Sequence, residues 1–144
     1  MKRLSLLFFA VILLINTNCK KENNNDNNSS EGLEGVWELR GAGSMLISTY
    51  PPGNGHIISF TGNKYEITEN GQITRSGEFQ VIEDLTASES TCLNIPAGKY
   101  TSRIIYDNNM TAAKTFFEIS ENKLTLVSGC FAVDAGSSLE YERH

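Results

Sequence analysis

The sequence predicts an all-β domain closed as an eight-stranded, up-and-down antiparallel barrel. Three observations carry that expectation. From Leu33 onward, β-branched and aromatic residues recur with a period of two. Turn chemistry interrupts them at short intervals, so most strands are followed by a neighbour that pairs with them. No stretch in this region sustains helical spacing; Thr111 to Lys114 supports a helical turn at most. Sequential antiparallel strands suit a barrel, which removes exposed sheet edges by closing, with a β-sandwich as the alternative.

The elements follow in order. Gly35-Val36-Trp37-Glu38-Leu39 opens the first strand and carries the only Trp, with Trp37 and Leu39 alternating against Glu38 and Arg40. Met45 to Gly55, with Pro51-Pro52, reads as a long, partly apolar loop, either a lid over a barrel mouth or a partner-contact loop. A second strand starts near His56 and places Ile58 and Phe60 on one face. Thr61-Gly62-Asn63 then turns into Lys64 to Glu69, where Tyr65 and Ile67 oppose Glu66 and Thr68. Asn70-Gly71 is the strongest local signal, because a type I′ turn needs positive φ at both central positions. The arm that follows, Gln72 to Ile82, sets Ile73, Arg75, Gly77, Phe79 and Val81 on one face, and Gly77 suggests a bend or bulge.

Glu83 to Gly98 lacks a sustained period and reads as a long loop that includes at most a short strand at Thr91 to Ile95. Strands resume at Tyr100 to Asp107, Thr115 to Ile119, Lys123 to Ser128 and Ser138 to Arg143, giving the count of eight.

Ahead of the domain, Lys2 and Arg3 precede an apolar run from Leu4 to Ile15, the pattern of a secretory signal. As a helix its 12 residues reach about 18 Å at ~1.5 Å each, short of a hydrocarbon core of ~30 Å. Residues 20–31 contain no apolar side chain and cannot offset their own ordering entropy, so they predict a flexible tether with a reach on the order of 20 Å. Without Lys2 and Arg3 the chain carries 10 basic against 17 acidic residues, a formal −7 with no Lys/Arg cluster, which argues against nucleic acid as a partner.

The chain has three cysteines. Consuming Cys19 in the leader leaves Cys92 and Cys130, an even pair in a disulfide-permissive compartment, with two buried thiols as the alternative. In an eight-strand meander these two fall nominally at opposite ends of the barrel. A bridge therefore requires the long loop to run back along the barrel, or Thr91 to Ile95 to add a strand.

Ile15-Asn16-Thr17-Asn18-Cys19 followed by an abrupt polar turn resembles a bacterial lipoprotein signal, although Asn16 and Asn18 depart from the usual small residues before the Cys. Farther on, Gly35-x-Trp37 on the first strand and Arg143 on the last resemble the lipocalin signature. The order of signal, Cys, polar linker, Gly-x-Trp, Asn-Gly hairpin, Asn122 to Leu126 strand and closing Tyr141-x-Arg143 is similar to the small lipocalin-like lipoproteins of Gram-negative bacteria. The resemblance covers Leu33 to His144 and implies three segments. These are a signal peptide over 1–18, a lipidated Cys19 with its tether over 19–31, and a lipocalin-like barrel over 32–144. It further implies a membrane partner reached through the N-terminal lipid, a cell-envelope location anchored to the outer membrane on its periplasmic face or at the cell surface, and packing of Arg143 over Trp37 to close the barrel. Such a cation–π contact is worth roughly 0.5–2 kcal/mol. The chain is shorter than secreted lipocalins and shows no recognisable helix after the barrel, so their ligand-carrying role does not transfer directly.

Motifs for chemistry are thin. No His-Glu-x-x-His, Cys-x-x-Cys or Gly-x-Ser-x-Gly occurs, and the two His are His56 and the terminal His144. Gly41 to Ser44 lacks the Lys of a phosphate loop, the pairs Glu118/Glu121 and Glu83/Asp84 read as solvated faces, and Asp107-Asn108-Asn109 lacks the spaced ligands of a calcium loop. The expectation is a non-enzyme without cofactor or metal. An eight-stranded barrel is either filled by side chains or holds one small ligand. If Phe60, Tyr65, Ile67, Phe79, Ile104, Tyr106 and Phe117 face inward with Trp37, they line an apolar cavity for a small hydrophobic or amphipathic ligand. The alternative is a solid core in an interaction lipoprotein that uses its loops on an envelope partner.

Overall fold

A computed structural model describes residues 32–144. The signal segment, Cys19 and the tether lie outside the described residues.

Nine strands form one closed antiparallel sheet. They are β1 (Gly35–Gly43), β2 (Ile47–Thr49), β3 (His56–Thr61), β4 (Lys64–Glu69), β5 (Gln72–Glu83), β6 (Ser102–Tyr106), β7 (Thr115–Ser120), β8 (Lys123–Ser128) and β9 (Ser137–Arg143). From β3 to β9 each pairs with its neighbour in sequence, β1 pairs with both β2 and β3, and β9 returns to pair with β1. β2 and β3 share one side of β1, β2 opposite Gly41 to Gly43 and β3 opposite Gly35 to Glu38, so together they make one broken stave. The barrel is thus an eight-stranded, up-and-down closed barrel, as the alternation predicts, and not a sandwich. The loop expected over Met45 to Gly55 contributes β2 because its first residues fold back onto the end of β1. The start of β3 is held by Asn54, whose side-chain amide donates to the carbonyls of Leu39 and Pro51 and whose Oδ1 accepts from the His56 amide.

One end of the barrel, the floor, gathers the start of β1, the β3–β4 and β7–β8 turns and the end of β9. The other, the mouth, gathers the β1–β2, β4–β5, β6–β7 and β8–β9 connections. Asn70 and Gly71 have φ of 52° and 78°, both in the left-handed region that a type I′ turn requires. A bulge interrupts the β4–β5 ladder, where Ile67 pairs with Arg75 but Thr68 pairs with Ile73. Thr74 is therefore the extra residue. The irregularity lies there and not at Gly77, and it rotates Ile73 off the inward face to 60% exposure. Gly77 stays in the ladder opposite Tyr65, in a place where the Asp107 carboxylate leaves no room for a Cβ.

The long β5–β6 connection carries a five-residue helix α1 (Ala87–Thr91) in place of the short strand anticipated at Thr91 to Ile95. Asp84 initiates it: its carboxylate accepts from the Thr86 amide and hydroxyl, and Thr91 Oγ1 donates back to the Ala87 carbonyl. Cys92 ends the helix with a left-handed φ of 59°. This strap leaves the floor side and runs back along the outside of the barrel. Ala87 covers the outward side chains Phe116 and Val127, with Ile95, Tyr100 and Phe131 around them, so β7 and β8 are buried on both faces. The strap delivers Cys92 to Cys130, and the two form a disulfide with Cα atoms 5.0 Å apart. Opposite ends of the meander are thereby joined, and closing a loop of this length contributes about 4 kcal/mol on a chain-entropy account.

Candidate functional site

The barrel interior divides into a packed lower part and a hollow upper part. At the floor, Trp37 is fully buried and donates its indole N–H to the Leu33 carbonyl at 2.7 Å, which draws Leu33 under the barrel as a plug. Arg143, opposite Trp37 in the β1–β9 ladder, lays its guanidinium 4.2 Å from the indole centroid and donates to the carbonyls of Glu34 and Gly32. Gly35 is needed between them. Its φ is +131°, and an added Cβ would stand 2.6 Å from Arg143 Nη1. Gly35, Trp37 and Arg143 therefore form one contact set.

Toward the mouth lies a cavity of about 150 Å³ lined by Ile58, Ile67, Leu126 and Leu139 together with the hydroxyl-bearing Tyr106, Thr115, Ser128, Ser137 and Tyr141, and by Arg75. Antiparallel pairing puts these side chains together: Ile67 faces Arg75, Ser128 faces Ser137, and Leu126 faces Leu139. Burial pushes the Tyr141 phenol up to about 12 and raises that of Tyr106 as well, so both are neutral hydroxyls at physiological pH.

Arg75 is fixed at the rim. Asp107, in a left-handed conformation just after β6, accepts from Arg75 Nη2 at 2.9 Å, from the Tyr65 hydroxyl at 2.9 Å and from the Glu78 amide at 3.2 Å. The hydrogen bonds from Arg75 and Tyr65 hold the Asp107 carboxyl below its ordinary range. The guanidinium lies 5.4 and 5.6 Å from the Tyr65 and Tyr106 ring centroids, and those two rings meet edge to face. Arg75 is thus a positioned cation at the edge of an apolar void.

All seven residues expected to face inward do so. Phe60, Tyr65, Phe79, Ile104 and Phe117 are buried in the inner core, and Ile67 and Tyr106 pack partly buried against it. Only Ile67 and Tyr106 line the cavity; the other five, with Trp37, fill space beside or below it. Sequence alternation had already put Arg75 on the inward face, but an Arg among apolar residues carries no mark of a rim position. Ser128, Ser137, Thr115, Tyr141, Ile58, Leu126 and Leu139 became lining residues only once strand register was known. Among the described residues no three His, Cys, Asp or Glu side chains converge to hold a metal ion, and no helix is long and apolar enough to cross a membrane.

Fold and site together define a small closed β-barrel with a sealed floor and a cavity toward the mouth, a design compatible with a lipocalin-like domain. No protein-family model matches the chain, no curated protein matches it in sequence, and no solved structure matches it.

Proposed function

We propose that this chain is a membrane-anchored, lipocalin-like lipoprotein that binds one small amphipathic molecule in the upper part of its barrel, with Cys19 as the lipidated residue. The observation that carries the binding reading is the cavity of about 150 Å³, apolar on four side chains, ringed by five hydroxyls and edged by Arg75. A void of about this size takes a benzene-sized ligand, so long acyl chains and haem-sized molecules do not fit without rearrangement. The hydroxyls and Arg75 favour a ligand with a polar or anionic group on a short apolar body.

Titration of the protein with phenol, benzoate and hexanoate, followed through the methyl signals of Ile58, Ile67, Leu126 and Leu139, tests this. Saturable shifts at those four residues, lost in Leu139→Phe, are expected. No saturable shift across the three probes, or an unchanged response in Leu139→Phe, would overturn it. Trp37 does not line the cavity but stands opposite Ile58, which does, so its fluorescence is an indirect reporter beside the methyl signals.

A second reading has its own observation. Met45, Leu46 and Ile47 project from the β1–β2 hairpin at the mouth, Leu46 with 88% exposure, beside a shallow groove that includes Leu93, Phe131 and Ala132. An interaction lipoprotein would use such a surface on an envelope partner. An empty titration in a folded barrel moves the conclusion to this surface.

A further inference from the structure

The barrel wall is thinnest between β6 and β7. Only three residue pairs register there, Ser102 with Phe117, Arg103 with Phe116 and Ile104 with Thr115, against six between β7 and β8. Beyond Thr115 the connecting chain swings outward, and a cavity of about 300 Å³ opens between it and the end of β6. Three cations line it: Arg75, Arg103 and Lys114, with Asp107, Asn109 and Thr115 among their neighbours.

Arg103 is the unusual member. Its side chain is only 9% exposed, and its Nε, 3.3 Å from Asp84 Oδ2, makes no aligned hydrogen bond with any described residue. Asp84 cannot serve it well, because that carboxylate is committed elsewhere. Oδ1 accepts from the Thr86 amide and hydroxyl, and Oδ2 lies 2.9 Å from Lys114 Nζ. One carboxylate is therefore shared by two cations, while Asp107 is matched by Arg75. The pocket keeps one unmatched positive charge in a chain whose formal charge is −5. A buried guanidinium whose Nε–H lacks an aligned acceptor is costly, and its planar fork fits an oxyanion.

We propose that this lateral pocket is an oxyanion site, taking the carboxylate or phosphate group of a small solute between Arg103 and Lys114, with Arg75 at its edge. The site stands apart from the barrel ligand proposed above. Arg103 faces outward from β6, and the groups it takes are too polar for the apolar interior. Arg75, Tyr106 and Thr115 line both cavities, so occupancy of one is felt by the other.

Inorganic phosphate and acetate, titrated into the intact protein at constant ionic strength, test the site through the Arg103 Nε–H resonance and the amides of residues 109–115. Saturable shifts are expected for at least one of the two anions, phosphate marking a phosphoryl preference and acetate a carboxylate preference. Binding should weaken about tenfold or more in Arg103→Gln, weaken several-fold in Lys114→Gln, and stay unchanged in Lys64→Gln. Shifts that never saturate up to about 10 mM, or saturation that neither substitution alters, overturn the proposal. If Arg103→Gln fails to fold, Lys114→Gln decides, since its half-buried amine is not part of the core.

Discussion

At the floor, a fully buried indole, a leucine plug and an arginine that lies over the indole and donates to the carbonyls of Gly32 and Glu34 close the barrel. At the mouth, the same eight staves enclose a void whose rim is organised by Asp107, which holds Arg75 and Tyr65; on the outer strap, Asp84 holds Lys114 and the start of α1. The difference teaches where stability and binding are separated in this domain. Apolar burial and a cation laid on the buried indole fix the barrel from below. Polar, partly exposed pairs shape its upper end, where such pairs contribute little to stability but position groups well.

The largest test of that division is Trp37→Ala. Removing a fully buried indole, its hydrogen bond to Leu33 and the face on which Arg143 lies should destabilise the domain by about 4 kcal/mol in urea unfolding, a large part of a typical 5–15 kcal/mol. Ser137→Ala at the mouth, which removes one hydroxyl beside a void, should change stability by less than about 0.5 kcal/mol. Combining Trp37→Ala with Arg143→Met should give less than the sum of the two, because both break the same contact. If Trp37→Ala falls within about 1 kcal/mol of the parent, the floor is not the seal described here.

How far this was legible in the sequence follows the same division. Closure was readable through the resemblance of Gly35-x-Trp37 and Tyr141-x-Arg143 to the lipocalin signature, and the structure gives its physical basis: a glycine where a guanidinium approaches, an indole beneath it. The hairpin at Asn70-Gly71 was equally plain, since its φ requirement is local. The mouth was not. Ser128, Ser137 and Thr115 are ordinary alternating positions until register aligns them across three strands. The bulge at Thr74, which moves Ile73 outward and keeps Arg75 inward, has no signature in its own residues. The strap was misjudged for a related reason. Ala87 to Thr91 is too short to show a period; Asp84 fixes Thr86 ahead of it, and Ala87 covers Phe116 and Val127. Arg103 was invisible as a site because β6 reads as an ordinary alternating strand.

Acid should separate the floor seal from the carboxylate-held strap and rim. Asp84 ordinarily titrates near 3.8; burial works to raise it, but hydrogen bonds from the Thr86 hydroxyl, Lys114 and the Thr86 amide outweigh that and hold it at about 2. A folded pKa below the unfolded one gives stability that is complete above about pH 4 and lost as pH falls toward 2, here roughly 2 kcal/mol. Asp107 is lowered in the same direction, so it titrates in the same acid limb. Leu33, Trp37 and Arg143, which close the floor, carry no carboxylate. Amide exchange at pH 3 should therefore accelerate in residues 84–92 and 107–114 while the amides of Trp37 and Leu39 stay protected. In Asp84→Asn, the acid-dependent part of the strap's exchange should largely vanish. Uniform loss of protection at both ends would break the comparison.

The smallest effect is also the most discriminating, because its sign depends on which end is altered. Leu124 and Leu139 lie on adjacent strands, β8 and β9, and both point into the barrel, but Leu124 is fully buried in the packed part while Leu139 lines the void. Enlarging each to Phe adds the same atoms to different surroundings. At Leu124 there is no free volume, so neighbours must leave their preferred rotamers, at a cost of about 1–2 kcal/mol. At Leu139 the ring enters about 150 Å³ of existing space. It gains contacts that the void denied its lining, leaving stability within about 1 kcal/mol of the parent or above it. Thermal unfolding of the two variants side by side reads the difference, and equal losses would mean that the mouth is as tightly packed as the floor.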